Sequence, residues 1–403
     1  MENRPKLLVS FLNHRVTDGR VFYRVVRHIV NTFGERIEVV AINLLRRDQS
    51  KLVELEEIEL SCDSHTIHCY QICVPKSCSV INKIIWKLRI GNVIAETVKQ
   101  INPDLFYIAD VREIPAAVKA LKQTGTSVIY DSHEDYVRQA LDYGKNKALK
   151  RFTALRFAYY EKAFIRRFDA VFCTDEFLEK KYTRKEYHAK YVSLVRNYPY
   201  YDKCNDGFAR TFAETDVLKS VYIGGVDPYR GVIESSEYIK KYNASHNRRV
   251  VLDIYGTENE ISREISDNIS VFFKGWIDHK ELMMKLRNEY DIGLCLWQPI
   301  PKFYTNLPIK NFDYMGAGLP IITSNFGNLY VHATKSGAGF CIDPQIYDEF
   351  EQAIDCLFDP IIRGQYSSNG LKYVKEASFQ SEAIPMMKVI ETIINLKQKR
   401  QDR

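Results

Sequence analysis

The stretch "NLPIKNFDYMGAGLPIITS", residues 306–324, reads as one helix-then-strand unit of a parallel α/β protein. Pro308 suits the first position of a helix, where its missing N–H costs nothing. Gly318 suits the stop, where a left-handed residue closes the last turn. Leu319-Pro320 then leads into a short apolar run of the kind found in strands buried on both faces. Lys310 and Asp313 stand one turn apart in this helix. A cation in the first turn opposes the helix dipole unless an anion lies there. A diphosphate would supply that anion, and Asp313 could accept from vicinal hydroxyls such as those of a ribose. The alternative is a surface Lys–Asp pair three residues apart, worth about 0.2–0.5 kcal/mol. On this stretch alone the two readings stand even.

The same alternation runs outward in both directions. "KLLVSFL" (6–12), "RIEVVAINLL" (36–45), "DLFYIAD" (104–110), "SVIYDSHE" (127–134), "DAVFCTD" (169–175) and "YVSLVRN" (191–197) are strand-like runs with helical patterns between several of them. After the polar and aromatic "NYPYYDKCNDG" (197–207) the pattern restarts with "SVYIGG", "RVVLDIYG", "ISVFFKGW", "DIGLCLW" and "LPIITS". Apolar strands flanked by helices imply parallel sheets covered on both faces. The predicted fold class is therefore α/β, with two doubly wound, Rossmann-like domains and a linker near 197–210.

A chain of 403 residues is long for one domain, and 45% hydrophobic with 27% charged residues describes a globular protein. No apolar run approaches the length that spans a bilayer. The opening "MENRPKLLVSF" lacks a secretory pattern, and the nine cysteines have no metal-type pairing, so reduced thiols and a cytoplasmic location are expected. Residues 1–200 hold 33 Lys+Arg against 24 Asp+Glu, whereas the remainder hold 24 against 27. A basic first half points to an anionic partner. The segment 145–168 concentrates that charge, with eight Lys+Arg and one Glu. Its Leu149, Phe152, Leu155 and Tyr159 recur at helical spacing, and packing on the domain's own sheet accounts for such a stripe. The surplus charge is not explained by packing. An anionic membrane surface is the expected partner, and no nucleic-acid recognition motif is present.

Ligands of open parallel sheets bind beyond the carboxyl ends of the strands. There the sequence places "NHRVTDGRV" (13–21), with Asp18, Gly19 and Arg20 at a glycine turn; "DSHED" (131–135); and "GGVDPYRG" (224–231). The last fits an ordinary glycine and proline strand-to-helix loop slightly better than the alternative, a phosphate site with free N–H groups, a helix start and Arg230 as a bidentate donor. In "DSHED", Asp131 or Ser132 could cap a helix, which accounts for the acids but not for His133. DxD, zinc-type clusters, Walker motifs and GxSxG are absent, so no metal or other cofactor is expected.

In this order the motifs resemble the two-domain GT-B glycosyltransferases. The nearest pattern is the retaining group called family four, in its bacterial surface polysaccharide branch. "DGRVFYRVVRHI", "VIYDSHEDY", "VRNYP", "YIGGVDPYRGV", "FKGWIDHKEL" and "LPIKNFDYMGAGLPII" carry the resemblance, and the last is the most specific. It implies domains at 1–198 and 199–377 facing a cleft, with a helix within 378–403 crossing back to the first. It implies a nucleotide-sugar donor, most readily a UDP-sugar, held by Gly224, Gly225, Arg230, Gly275, Asn306, Leu307, Lys310 and Asp313. Arg230 and Lys310 would neutralise the diphosphate, and His133 would contact the donor sugar. Asp18, Gly19 and Arg20 would line the acceptor side, and the acceptor would be a saccharide or lipid-linked saccharide. The family often has two glutamates eight positions apart; here Asp313 takes the second place and Thr305 the first. A sugar-nucleotide epimerase and a catalytically silent partner subunit are the competing readings.

Overall fold

The structure, a computed structural model, describes residues 4–12, 19–76, 79–142, 147–201, 207–257, 259–265 and 268–401. The chain divides into two compact units, Met1–Arg196 with Glu382–Arg403, and Asn197–Ser381. The helix Ile384–Gln401 thus belongs to the first unit, where Glu391 pairs with Arg36 at 3.7 Å.

The first unit is built on β1 (Lys6–Phe11), β2 (Glu38–Arg47), β3 (Glu54–Cys62), β4 (His65–Pro75), β5 (Leu105–Ile108), β6 (Ser127–Ser132), β7 (Ala170–Cys173) and β8 (Val192–Leu194). Their order in the sheet is β3-β4-β2-β1-β5-β6-β7-β8. All neighbours are parallel except β3 and β4, which pair antiparallel. This hairpin escapes a reading based on apolar runs. In "ELEEIELSC" exposed Glu57, Ile58 leaning inward and exposed Glu59 belong to an edge strand, where charge discourages edge-to-edge association.

The second unit holds β9 (Val217–Ile223), β10 (Arg249–Tyr255), β11 (Val271–Gly275), β12 (Ile292–Cys295), β13 (Ile321–Ser324) and β14 (Gly339–Ile342). They form an all-parallel sheet in the order β11-β10-β9-β12-β13-β14. Strand order reverses between β9 and β12, which makes their carboxyl ends the expected ligand position. In the first sheet the corresponding reversal lies between β1 and β5.

The segment 145–168 corrects one expectation. Its described part forms the helix Lys147–Phe164, which buries Ala154, Phe157 and Glu161. The stripe points the other way: Leu149, Phe152, Leu155 and Tyr159 are 65%, 62%, 71% and 61% exposed. At 100° per residue the two sets fall on nearly opposite sides of the helix. Both have helical spacing, so periodicity cannot say which one faces the sheet. Glu161 decides it: buried, it meets Lys181 at 2.8 Å and accepts from the Tyr182 hydroxyl at 2.8 Å.

Candidate functional site

The helix announced by Pro308 is Ile309–Gly316, with Pro308 as its N-cap, and Gly318 follows at φ 73°. Tyr314 fixes this helix over the strand reversal. Its hydroxyl accepts from the Ile223 N–H at 2.9 Å and donates to the Leu294 carbonyl at 3.3 Å. Its ring lies where a side chain on Gly293 would be, since a Cβ there would come within 2.3 Å of it. Asn311 adds a bond to Thr323 at 3.0 Å, which ties the helix to β13.

This placement buries Lys310 to 7% exposure, so the surface Lys–Asp pair is ruled out. Its Nζ has no hydrogen-bond acceptor among the described residues. The Nζ sits 3.6 Å from the Tyr222 ring centroid and 5.9 Å from that of Trp297. Burial, with Arg230 nearby, lowers its pKa from 10.5 to about 7. A buried ammonium without an acceptor is costly, and few structural roles justify one.

Arg230 faces the same aromatic wall, 5.8 Å from the Trp297 ring and 5.9 Å from that of Phe303. Asp227 holds its Nε at 2.7 Å and is the nearby counter-charge. The two glycines make room for the two cations. A Cβ on Gly224 would lie 3.4 Å from Lys310 Nζ, and one on Gly225 would lie 3.8 Å from the Arg230 guanidinium carbon. Gly224 has φ 119°. Gly224, Gly256 and Gly275 then form a low floor at the ends of β9, β10 and β11, linked by Gly224 N–H to Tyr255 O at 2.9 Å and Gly256 N–H to Gly275 O at 3.0 Å. The helix Val232–Ser245 opens directly after Arg230, and neither it nor Ile309–Gly316 has a side-chain cap. Two cations and two uncapped helix starts converge beyond one strand reversal, an arrangement that attracts a phosphate-bearing ligand.

Asp313 lies one turn beyond Lys310, with 13% of its side chain exposed and His279 Nε2 at 3.4 Å. Asn306 and Leu307 are half-buried in front of the helix, and Leu307 packs on the core behind it. Thr305 is exposed, and its carbonyl accepts from Asn328 at 2.8 Å. Sequence reasoning missed the aromatic wall of Tyr222, Trp297 and Phe303. Tyr222 and Trp297 occur within or just past buried strands, where aromatic residues read as core.

In the first unit Asp131 is the last but one residue of β6 and fully buried, so it caps no helix. Arg20 grips it bidentately at 2.7 and 2.9 Å and donates a third bond to the Val195 carbonyl at 3.0 Å. The Tyr107 hydroxyl also donates to Asp131, and His133 Nε2 lies 2.8 Å from it. Burial alone would raise the Asp131 pKa; Arg20 and His133 override that and hold it well below the usual carboxylate range. Arg20 is therefore a buried strut beneath His133 and does not line an open surface. The His133 carbonyl accepts from Thr174 at 2.7 Å, which fixes the backbone as well. Gly19 is exposed, and Asp18 lies outside the described residues. No group of three or more His, Cys, Asp or Glu among the described residues has the geometry to hold a metal ion.

Residues 219–359, which include the whole Lys310 and Arg230 site, match the family described as Glycosyl transferases group 1. No curated protein matches the chain. Among solved structures, a sucrose-phosphate synthase from Thermosynechococcus elongatus is similar at TM-score 0.67 and 16% identity, covering 98% of this chain and 100% of that one. The E. coli trehalose-6-phosphate protein bound with UDP-2-fluoro glucose is similar at TM-score 0.64 and 10% identity, covering 95% and 98%. Anabaena HepE in complex with UDP and glucose is similar at TM-score 0.61 and 12% identity, covering 96% and 100%. At such identities the likeness concerns the fold, which is that of GT-B glycosyltransferases: two α/β units with parallel sheets.

Proposed function

We propose that the protein is a glycosyltransferase that binds a nucleotide-sugar, most readily a UDP-sugar, on its second unit and moves the sugar to an acceptor hydroxyl. The observation that carries this reading is the buried Lys310 amino group, lacking an acceptor among the described residues, beside Arg230 at the β9/β12 strand reversal. Lys310 and Arg230 neutralise the diphosphate, and Asp313 accepts from the ribose hydroxyls. The glycine floor, with Gly224 and Gly275, lets the nucleotide approach the backbone, and Asn306 and Leu307 border it.

In the transfer step the bond from the anomeric carbon to the phosphate oxygen breaks and a bond to the acceptor oxygen forms. The acceptor proton passes to the departing phosphate. Charge gathers on the diphosphate as the bond breaks, and the two cations and two helix starts stabilise it without a metal. Retention of configuration, the family-four grouping and a role in surface polysaccharide or glycolipid assembly follow from the motif resemblance. His133, held by Asp131, is proposed to act on turnover, and a saccharide or lipid-linked saccharide is the proposed acceptor. Incubation with labelled UDP-sugars tests this. Transfer consumes the donor only with an acceptor present, an epimerase makes a new nucleotide-sugar without one, and a silent subunit does neither.

A further inference from the structure

We propose that the helix Lys147–Phe164 docks the protein on an anionic lipid surface through its outer face. Phe152, Leu155 and Tyr159 are each more than 60% exposed on one side of this helix. Large apolar side chains scattered singly need no explanation, but a continuous row on one helix marks an interaction surface. Tyr159 extends the row with an aromatic cluster, its ring centroid 5.9 Å from that of Phe164 and 6.2 Å from that of Tyr160. Its polar tip suits the boundary between headgroups and acyl chains.

Charge names the occupant. Exposed Arg151, Arg156 and Lys162 flank the row, and Lys162 pairs with Glu186 at 3.6 Å. Arg156 lies against the faces of Phe157 and Tyr160, at 5.5 and 6.0 Å, so its cation sits at the margin of the apolar row. The helix's single carboxylate, Glu161, is buried and committed to Lys181 and Tyr182. The outer face therefore offers apolar groups and cations, and the acid beside it, Glu186, is paired with Lys162. A second copy pairing face to face would set cations against cations. An anionic lipid surface satisfies both features, as an interfacial amphipathic helix does. No helix among the described residues is long and apolar enough to cross a membrane, so docking would leave the protein on the surface.

This inference does not depend on the transferase reading. Co-sedimentation with vesicles of phosphatidylglycerol and phosphatidylcholine, and of phosphatidylcholine alone, tests it at low and high salt. The parent should bind the anionic vesicles at least tenfold more tightly than the neutral ones and release them at high salt. Arg151→Gln/Arg156→Gln should lose about thirtyfold at low salt, from about fivefold per cation. Phe152→Gln/Leu155→Gln should lose at least tenfold with an unchanged unfolding temperature, because both side chains are already in water. Equal binding to the two vesicle types, or parent-like binding by the Gln/Gln variant of Phe152 and Leu155, would overturn the proposal. So would a parent dimer, seen by sedimentation equilibrium, that this variant splits, since a second copy would then occupy the face. Binding of UDP should be the same in all three proteins, so a failure here stays separate from a failure of the donor site.

Discussion

Replacing Lys310 by methionine should stabilise the second unit while weakening its hold on a nucleotide diphosphate. Burial lowers the lysine's pKa from 10.5 to about 7. At about 1.4 kcal/mol per unit, that displacement bounds the cost of the buried charge at roughly 4–5 kcal/mol. The Tyr222 ring at 3.6 Å returns up to about 2 kcal/mol. Methionine fills similar space without a charge, so a net gain of about 2 kcal/mol is expected at neutral pH, or about 4–8 °C in unfolding temperature for a unit of this size. The effect has a definite pH dependence. Below pH about 7 the folded and unfolded chains both carry the proton, and the whole penalty is present. Between about 7 and 10.5 the unfolded chain keeps a proton that the folded chain has lost, so the parent gains stability as pH rises. Calorimetric unfolding of both proteins at pH 6, 8 and 10 should show the variant ahead at pH 6 and the gap closing toward pH 10. A variant less stable than the parent at all three pH values would make Lys310 a structural cation and remove the main argument for the site.

Arg230→Ala should weaken UDP binding by about 1.5–3 kcal/mol, read by titration calorimetry, with the unfolding temperature unchanged because the side chain is part-exposed. Asp131→Asn should destabilise the first unit by about 3–5 kcal/mol in denaturant unfolding, since it leaves the Arg20 guanidinium buried without its counter-charge. His133→Ala should lower turnover of the UDP-sugar far more than it lowers stability; equal loss of both would assign the ring to packing.

The helix over 309–316 was legible because Pro308 and Gly318 are local signals that act through their own backbone angles. Strands β1, β2, β5, β6 and β9 were legible as apolar runs for a related reason, burial on both faces. What the sequence concealed is non-local. Arg20 and Asp131 are 111 residues apart, and no periodicity links them. Lys310 gains its aromatic wall from Tyr222 and Trp297, on two other strand ends, and its low pKa exists only once the three meet. In the helix Lys147–Phe164 two faces competed for the sheet. The winner was the face bearing Glu161, whose buried partner Lys181 lies in another helix.

Titration of UDP into the protein at pH 8, in two buffers of different ionisation enthalpy, tests the central claim most directly. If the diphosphate sits on Lys310, binding must restore the ammonium, and UDP itself is fully ionised at that pH. A shift from a pKa of about 7 toward 10.5 predicts uptake of roughly 0.9 proton per nucleotide, lost in Lys310→Met. No binding, or proton uptake unchanged in that variant, would contradict it.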